Sequence, residues 1–258
     1  MGVVNVTPDS FSDGGRFHDP QAAIGRARAL IGEGADILDV GAESSRPGAR
    51  GVSADEELSR LMPVLEGLRD CSVPISVDTV KPEVMRAVIA AGASMINDIT
   101  ALSSPGALEA IAESDVAVCL MHMQGEPRTM QLEPRYRDVV AEVGAFLAER
   151  VARAEDAGIA RERIVVDPGF GFGKTAAHNF ELLRELDRLV ALGLPVLAGW
   201  SRKSTLGAIT GRGAEDRLAA SLAAALLAVE RGARIVRVHD VAATRDALAV
   251  LAALEGKT

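Results

Sequence analysis

The sequence predicts a single-domain α/β protein, a closed (β/α)8 barrel with its site at the C-terminal ends of the strands. Three observations point there. Eight short apolar runs, at residues 2–5, 37–41, 74–79, 95–100, 117–123, 164–167, 195–200 and 235–240, alternate with stretches in which apolar residues recur at helical spacing. Gly34, Gly92, Gly158, Gly193 and Gly232 each stand where a helical pattern stops, a few residues before the next run, as glycine does at a helix C-terminus. Eight such units fill 258 residues without a linker or low-complexity tract, the proportions of a TIM barrel rather than an open sheet.

Each element follows from its residues. The first strand has about four residues before Asn5, fewer than the usual ~5–6, so the start at Met1 reads as shortened, with nothing ahead of it to cover the barrel's N-terminal mouth. Between the strands, Leu58, Leu61, Met62, Leu65 and Leu68, then Val139, Val143, Phe146, Leu147 and Val151, then Leu218, Leu222, Leu226 and Val229 define helix faces that can cover a sheet. The sixth strand is the most informative. Its β-branched run Ile164-Val165-Val166 fits a parallel strand buried on both faces, and it ends in Asp167 followed by the glycine-rich turn Pro168-Gly169-Phe170-Gly171-Phe172-Gly173-Lys174. A carboxylate there is costly to bury without a partner, so it is read as delivered to a pocket.

Composition removes several classes of function. No apolar run approaches the ~20 residues of a membrane span. A formal charge of -8 argues against a general nucleic-acid surface, so an anionic ligand needs locally gathered basic groups. Cys71 and Cys119 make neither a metal spacing nor a disulfide framework, and Met1-Gly2-Val3-Val4 does not open a signal peptide; a reducing, cytoplasmic setting is expected.

The chemistry gathers at the strand exits: Asn5, Asp39, Asp78, Asn97, His122, Asp167, and the pair Arg237 and His239. In a barrel these ends converge on one face. Some of these residues have a second reading, as caps or loop anchors; for Asp39 the two readings stay open. Arg237 and His239 are two apart, so both point to one side, which suits an anion. After the seventh strand, Ser201-Arg202-Lys203-Ser204 brings Lys203 to the pocket at the start of a helix. Residues 7–15 and 43–51 are polar, glycine-rich loops expected to act as lids over it. Other motifs fail. The 169–175 stretch has Pro168 where a phosphate loop needs its first glycine and Lys174 where a dinucleotide fingerprint needs its last; His18, His122, His178 and His239 fall in different units; no serine has the nucleophile-elbow context.

Four stretches taken together, Asn5-Val6-Thr7-Pro8-Asp9-Ser10-Phe11-Ser12-Asp13-Gly14-Gly15, Asp167 to Lys174, Ser201 to Ser204 and Arg237-Val238-His239-Asp240, resemble the dihydropteroate synthase family of folate biosynthesis, over essentially the whole chain. The resemblance implies that Asp78, Asn97, Asp167 and Lys203 bond the ring edges of a pterin lined by Met121 and Phe172. It implies that Asn5, Arg237 and His239 hold the substrate's diphosphate, with Asn5 also on Mg²⁺ as cofactor. Phe11, Asp13, Ser45, Arg46, Pro47 and Ser204 would form the 4-aminobenzoate pocket. Asn5, Asp78, Asp167, Lys203, Arg237 and His239 are the implied catalytic set. The partners would be the small-molecule substrates, dihydropterin diphosphate and 4-aminobenzoate, with no nucleic acid or membrane, and the assembly a homodimer. Ser45 replaces the threonine usual in that loop, keeping a hydroxyl and losing a methyl group. Other readings are a pterin-dependent methyltransferase domain, which would not need Arg237 with His239, a non-catalytic pterin binder, which would not release diphosphate, and a phosphosugar barrel, which would not bind a pterin.

Overall fold

The computed structural model describes residues 1–6, 20–44 and 51–256. Eight parallel strands, β1 (Gly2–Asn5), β2 (Leu38–Gly41), β3 (Ile75–Asp78), β4 (Met95–Asp98), β5 (Ala117–Met121), β6 (Ile164–Asp167), β7 (Leu197–Ala198) and β8 (Ile235–Val236), run in sequence order. β1 to β6 form one ladder and β7 with β8 another. Two bridges join them into a ring. Val166 pairs with Val196 between β6 and β7, and Gly2 pairs with Val238 beyond the end of β8, where Val3 N donates to Val238 O and Val238 N to Met1 O. The expected barrel is therefore present, with β7 and β8 much shorter as ladders than their apolar runs. After Ala198 the chain leaves the ladder: Arg237 N donates to Ala198 O, and the next inward amide, that of His239, is taken instead by the Ser201 hydroxyl.

Ten helices are found among the described residues: α1 (Pro20–Gly32), α2 (Ala54–Gly67), α3 (Pro82–Ala90), α4 (Ala107–Ala112), α5 (Val139–Asp156), α6 (Ala176–Arg184), α7 (Leu186–Val190), α8 (Ser204–Thr210), α9 (Leu218–Glu230) and α10 (Val241–Leu254). The five glycines expected to end helices all have positive φ. None of these helices is long and apolar enough to cross a membrane.

Strand alternation divides the core in two. Val4, Val40, Val77, Ile96, Leu120, Val166 and Ala198 point outward and pack under the helices, each fully buried aliphatic side chain contributing roughly 1.5–3 kcal/mol. Met1, Met95, Cys119, Val165 and Leu197 point inward and form a separate apolar plug in the lower barrel. Above it, the inward positions become polar.

Two helix faces differ from expectation. In α2, Met62 is exposed while Glu57 and Arg60 are buried alongside Leu61 and Leu65. In α9 the buried stripe is Ser221, Ala224, Ala225 and Ala228, and Leu218 faces solvent. That helix is apolar on every side, so periodicity could not choose its inner face, and the small residues won because they allow the closest approach. α5 buries Arg150, whose guanidinium donates to the carbonyls of Ala101 (2.7 Å) and Leu102 (2.8 Å). Both residues have left-handed backbone, uncommon without glycine, and Asp98 secures the same turn through Leu102 N.

Candidate active site

The upper inward positions of the barrel carry Asn5, Asp78, Asn97, Met121, Asp167 and Arg237, while Asp39 lies one inward step lower on β2, in register with Ser76 and through it with Met95. Two further inward positions are glycine. A side chain at Gly41 would press on Asp78, and one at Gly199 would project beside Lys203 Nζ and the Cβ of Arg237. Their lack of side chains leaves the mouth open in the middle of its polar ring.

On the β2, β3, β4 and β8 side, charges meet directly. Arg237 Nε donates to Asp39 Oδ2 at 2.6 Å and Nη2 to Asp78 Oδ2 at 3.3 Å, while Asn97 Nδ2 reaches the same Asp39 oxygen at 3.2 Å. Asp39 is wholly buried, which settles its open reading: it is the anchor of Arg237, held inside the barrel by that ion pair. Burial raises the Asp78 carboxyl to about 7, against the opposing pull of Arg237. Asp39 Oδ1 and Asn97 Oδ1 are buried acceptors without a donor. Buried acceptors are rarely left unmade, so both retain capacity for a further donor.

On the β6 and β7 side, charges are held apart by backbone. Asp167 Oδ1 accepts from Gly169 N at 2.7 Å, and burial raises its carboxyl above the ordinary carboxylate range, with Lys203 opposing. Lys203 donates to Phe170 O, and its Nζ lies 4.6 Å from the centre of the Phe172 ring; burial lowers its ammonium to about 8. The glycine-rich turn makes this possible. Gly169 has φ 67°, and a Cβ there would lie 1.9 Å from His122 O; at Gly173, φ 62°, it would lie 2.4 Å from Gln124 O. Under the turn, the buried Lys174 Nζ gathers the carbonyls of Phe172 (2.9 Å), Gly169 (3.1 Å) and His122 (3.3 Å) together with His122 Nδ1 (2.9 Å). The stretch that resembles a phosphate loop therefore spends its lysine internally. His122, placed by sequence in the ring of strand exits, belongs to this support: burial and the Lys174 charge lower its imidazole to about 3, and its edge packs on Phe146.

The remaining predicted residues occupy the rim. Asn5 ends β1, half-buried, and Ser204 is the first, exposed residue of α8. His239 faces Ser201, Oγ to Nδ1 2.9 Å. Phe11, Asp13, Ser45, Arg46 and Pro47, and with them the expected lids, lie outside the described residues.

Three supports escaped the sequence. Asn179, fully buried, accepts from Gly171 N (2.7 Å) and donates to Thr205 Oγ1 (3.0 Å), tying the glycine turn to α8. Lys81 bridges Glu43 and the buried Glu57, while Arg60 donates to Ala42 O at 2.8 Å, fixing the chain just after β2. Arg202 forks onto Asp240. The members of the last two look like ordinary surface charges when read singly, and Asn179 like an ordinary polar residue of a helix; buried Glu57 on a helix of otherwise plain amphipathic pattern left no signal.

A barrel whose mouth offers carboxylates and unmet amide acceptors to one ligand edge, and cationic groups beside them, has the chemistry for a flat, nitrogen-rich ring bearing an anion. Residues 1–239 match the family described as "Pterin binding enzyme". The chain is 53% identical to the dihydropteroate synthase of Escherichia coli (strain K12) over 254 residues, 98% of this chain and 90% of that protein. Among solved structures it resembles Xanthomonas albilineans dihydropteroate synthase with 4-aminobenzoic acid (TM-score 0.94, 56% identity, 99% of this chain and 92% of that one). It also resembles the same organism's enzyme in complex with 7,8-dihydropteroate (TM-score 0.90, 54% identity, 99% and 92%). The chain belongs to the dihydropteroate synthase family of pterin binding enzymes and is a transferase of that family.

Proposed function

We propose that this barrel mouth joins 6-hydroxymethyl-7,8-dihydropterin diphosphate to 4-aminobenzoate with release of diphosphate, and that its two polar halves divide the work. Asp167, Asn97 and Asp78 take the donors of the pterin's amide and amino edge, and Lys203 meets its carbonyl and ring nitrogen. The observation that carries this reading is the opening left by Gly41 and Gly199 in the polar ring, bordered by Asp78 at the first and by Lys203 and Arg237 at the second. Met121 and Phe172 line the ring's faces.

Arg237, His239 and Asn5 receive the diphosphate. Mg²⁺ fits here by donor chemistry: Asn5 ends β1 half-buried at the mouth with a side-chain oxygen to offer, and this ion commonly takes one or two protein oxygens plus phosphate oxygens and water. The Asn5 side-chain oxygen would hold it, and when bound it neutralises part of the diphosphate charge. The substitution is dissociative. As the C–O bond breaks, Arg237 and His239 stabilise the leaving charge, and the carboxylates of Asp78 and Asp167 favour the cation delocalised into the pterin. The neutral amine of 4-aminobenzoate then attacks, so no activated serine or cysteine is required. Phe11, Asp13, Ser45, Arg46 and Pro47, with Ser204 at the carboxylate, are assigned to that second substrate.

A diphosphate-release assay with both substrates and Mg²⁺ tests the reading: release should require 4-aminobenzoate, and release independent of it would overturn the proposal. The cysteines of the chain, both free, support a cytoplasmic setting. Exposed Leu227 on α9, with Val250 and Leu254 on the adjoining α10, supports a homodimer through that pair, to be checked by analytical ultracentrifugation.

A further inference from the structure

We infer that Ser201 is a positioning residue that fixes the proton of neutral His239 on Nε2. The Ser201 hydroxyl is buried at the exit of β7. Its oxygen accepts the His239 backbone N–H at 3.1 Å and lies 2.9 Å from Nδ1 of the same residue. These are the two partners of Oγ among the described residues. The oxygen's two lone pairs could accept both N–H groups, but the buried hydroxyl proton would then have no acceptor among the described residues; with that proton donated to Nδ1, every group is satisfied. An Nδ1 that accepts leaves the neutral imidazole with its proton on the other nitrogen.

The surroundings hold Ser201 in place. Arg202 adopts left-handed backbone at φ 59°, uncommon for a non-glycine residue, and its hydrogen bonds retain it. Its guanidinium forks onto Asp240 (Nε to Oδ2 3.1 Å, Nη2 to Oδ1 2.7 Å), its N–H donates to Ser221 Oγ (3.0 Å), and its carbonyl accepts from Arg217 (2.9 Å). The turns after β7 and β8 are thus joined through both Ser201–His239 and Arg202–Asp240. One serine oxygen fixes the backbone and the ring of His239 at once.

The consequence rests on the diphosphate reading given above. With its proton on Nε2, neutral His239 presents an N–H to an anionic oxygen; the opposite tautomer would present a lone pair and repel it. Ser201 makes this histidine a donor without requiring a second proton.

Two measurements test the inference. In the ligand-free protein, at a pH where the imidazole is neutral, ¹⁵N NMR should show His239 protonated at Nε2 and bare at Nδ1, the signal being assigned by its loss in His239→Gln. Protonation at Nδ1 in the wild type overturns the inference whatever the histidine binds. Ser201→Ala should mix the tautomers and weaken diphosphate binding about threefold to tenfold, the scale of one hydrogen bond, with the affinity for a diphosphate-free pterin unchanged. Ser201→Thr, which keeps the hydroxyl, should restore both. Mixed tautomers in Ser201→Ala with undiminished diphosphate affinity would overturn the donor role and the diphosphate reading together, while leaving the proton assignment standing.

Discussion

The two halves of the barrel mouth solve the problem of buried charge in opposite ways. On the β8 side Arg237 sits directly against Asp39 and Asp78, so cation and anions neutralise each other at 2.6 and 3.3 Å. On the β6–β7 side Asp167, Lys174 and Lys203 have no ion pair among the described residues, and backbone groups of the 169–173 turn satisfy them instead. A directly paired cluster is cheap while the site is empty but must be loosened to receive a ligand. The 3.3 Å contact to Asp78 is the looser of the two, so Arg237 can turn towards diphosphate while Asp39 retains its Nε. A backbone-held cluster needs no such release: its charges stand ready, at a cost in desolvation that a ligand with complementary donors relieves.

The comparison predicts its largest effect at Arg237. Arg237→Ala leaves Asp39 buried with its charge unpaired, a loss of about 3–5 kcal/mol in urea unfolding, and adding Asp39→Asn should recover part of it. Asp167→Asn on the opposite side should change stability by less than about 1 kcal/mol, because it removes a desolvated charge with no ionic partner. Its cost should fall on pterin binding, about 1.5–3 kcal/mol by calorimetry with a pterin analogue, since the amide turns a donor towards the ligand's donors. Equal loss of stability in the two variants would erase the distinction between the halves.

The membership of the polar ring was legible in the sequence, and the reason is the order of strands. Their place at the ends of apolar runs put Asp39, Asp78, Asn97, Asp167 and Arg237 at one mouth, because the strand ends of a closed barrel converge on one face. Partnership was not legible. Nothing local joins Arg237 to Asp39 across nearly the whole chain, or shows that Lys174, set aside with the failed phosphate-loop motif, gathers three carbonyls beneath the turn. The inner face of α9 was misjudged for the opposite reason, since leucine and alanine on every side carry no phase.

Lys174→Met tests whether the backbone-held half depends on its hidden cation. Removing the ammonium strips donors from the carbonyls of Gly169, Phe172 and His122, for about 1–3 kcal/mol of stability. The turn that orients Asp167 and Lys203 should loosen with it, so pterin affinity should drop while diphosphate affinity holds. A drop in both would mean that the turn supports the whole mouth rather than one half.

The smallest effect is a difference in the sign of pH dependence. Asp78 is raised from 3.8 to about 7, so between those values the folded protein keeps a proton that the unfolded chain has lost. Its contribution to stability is present below pH 3.8 and fades as pH rises through about 7. Lys203 and Lys174 are lowered from 10.5 to about 8 and about 7, so across that span the folded protein holds fewer protons than the unfolded chain. Their contribution is complete above 10.5 and is lost as pH falls through the folded values. The raised carboxyls, Asp78 on the paired side and Asp167 on the other, therefore weaken the fold as pH climbs towards neutrality, and the two lowered lysines, both on the backbone-held side, strengthen it as pH climbs beyond. Thermal midpoints recorded across both windows should show the difference: Asp78→Asn lessens the acid slope and leaves the alkaline one, and Lys203→Met lessens the alkaline slope, of which Lys174 keeps the larger part, and leaves the acid one. Should each variant flatten both windows, the two clusters titrate as one, and the division of the mouth into a paired half and a poised half would have to be abandoned.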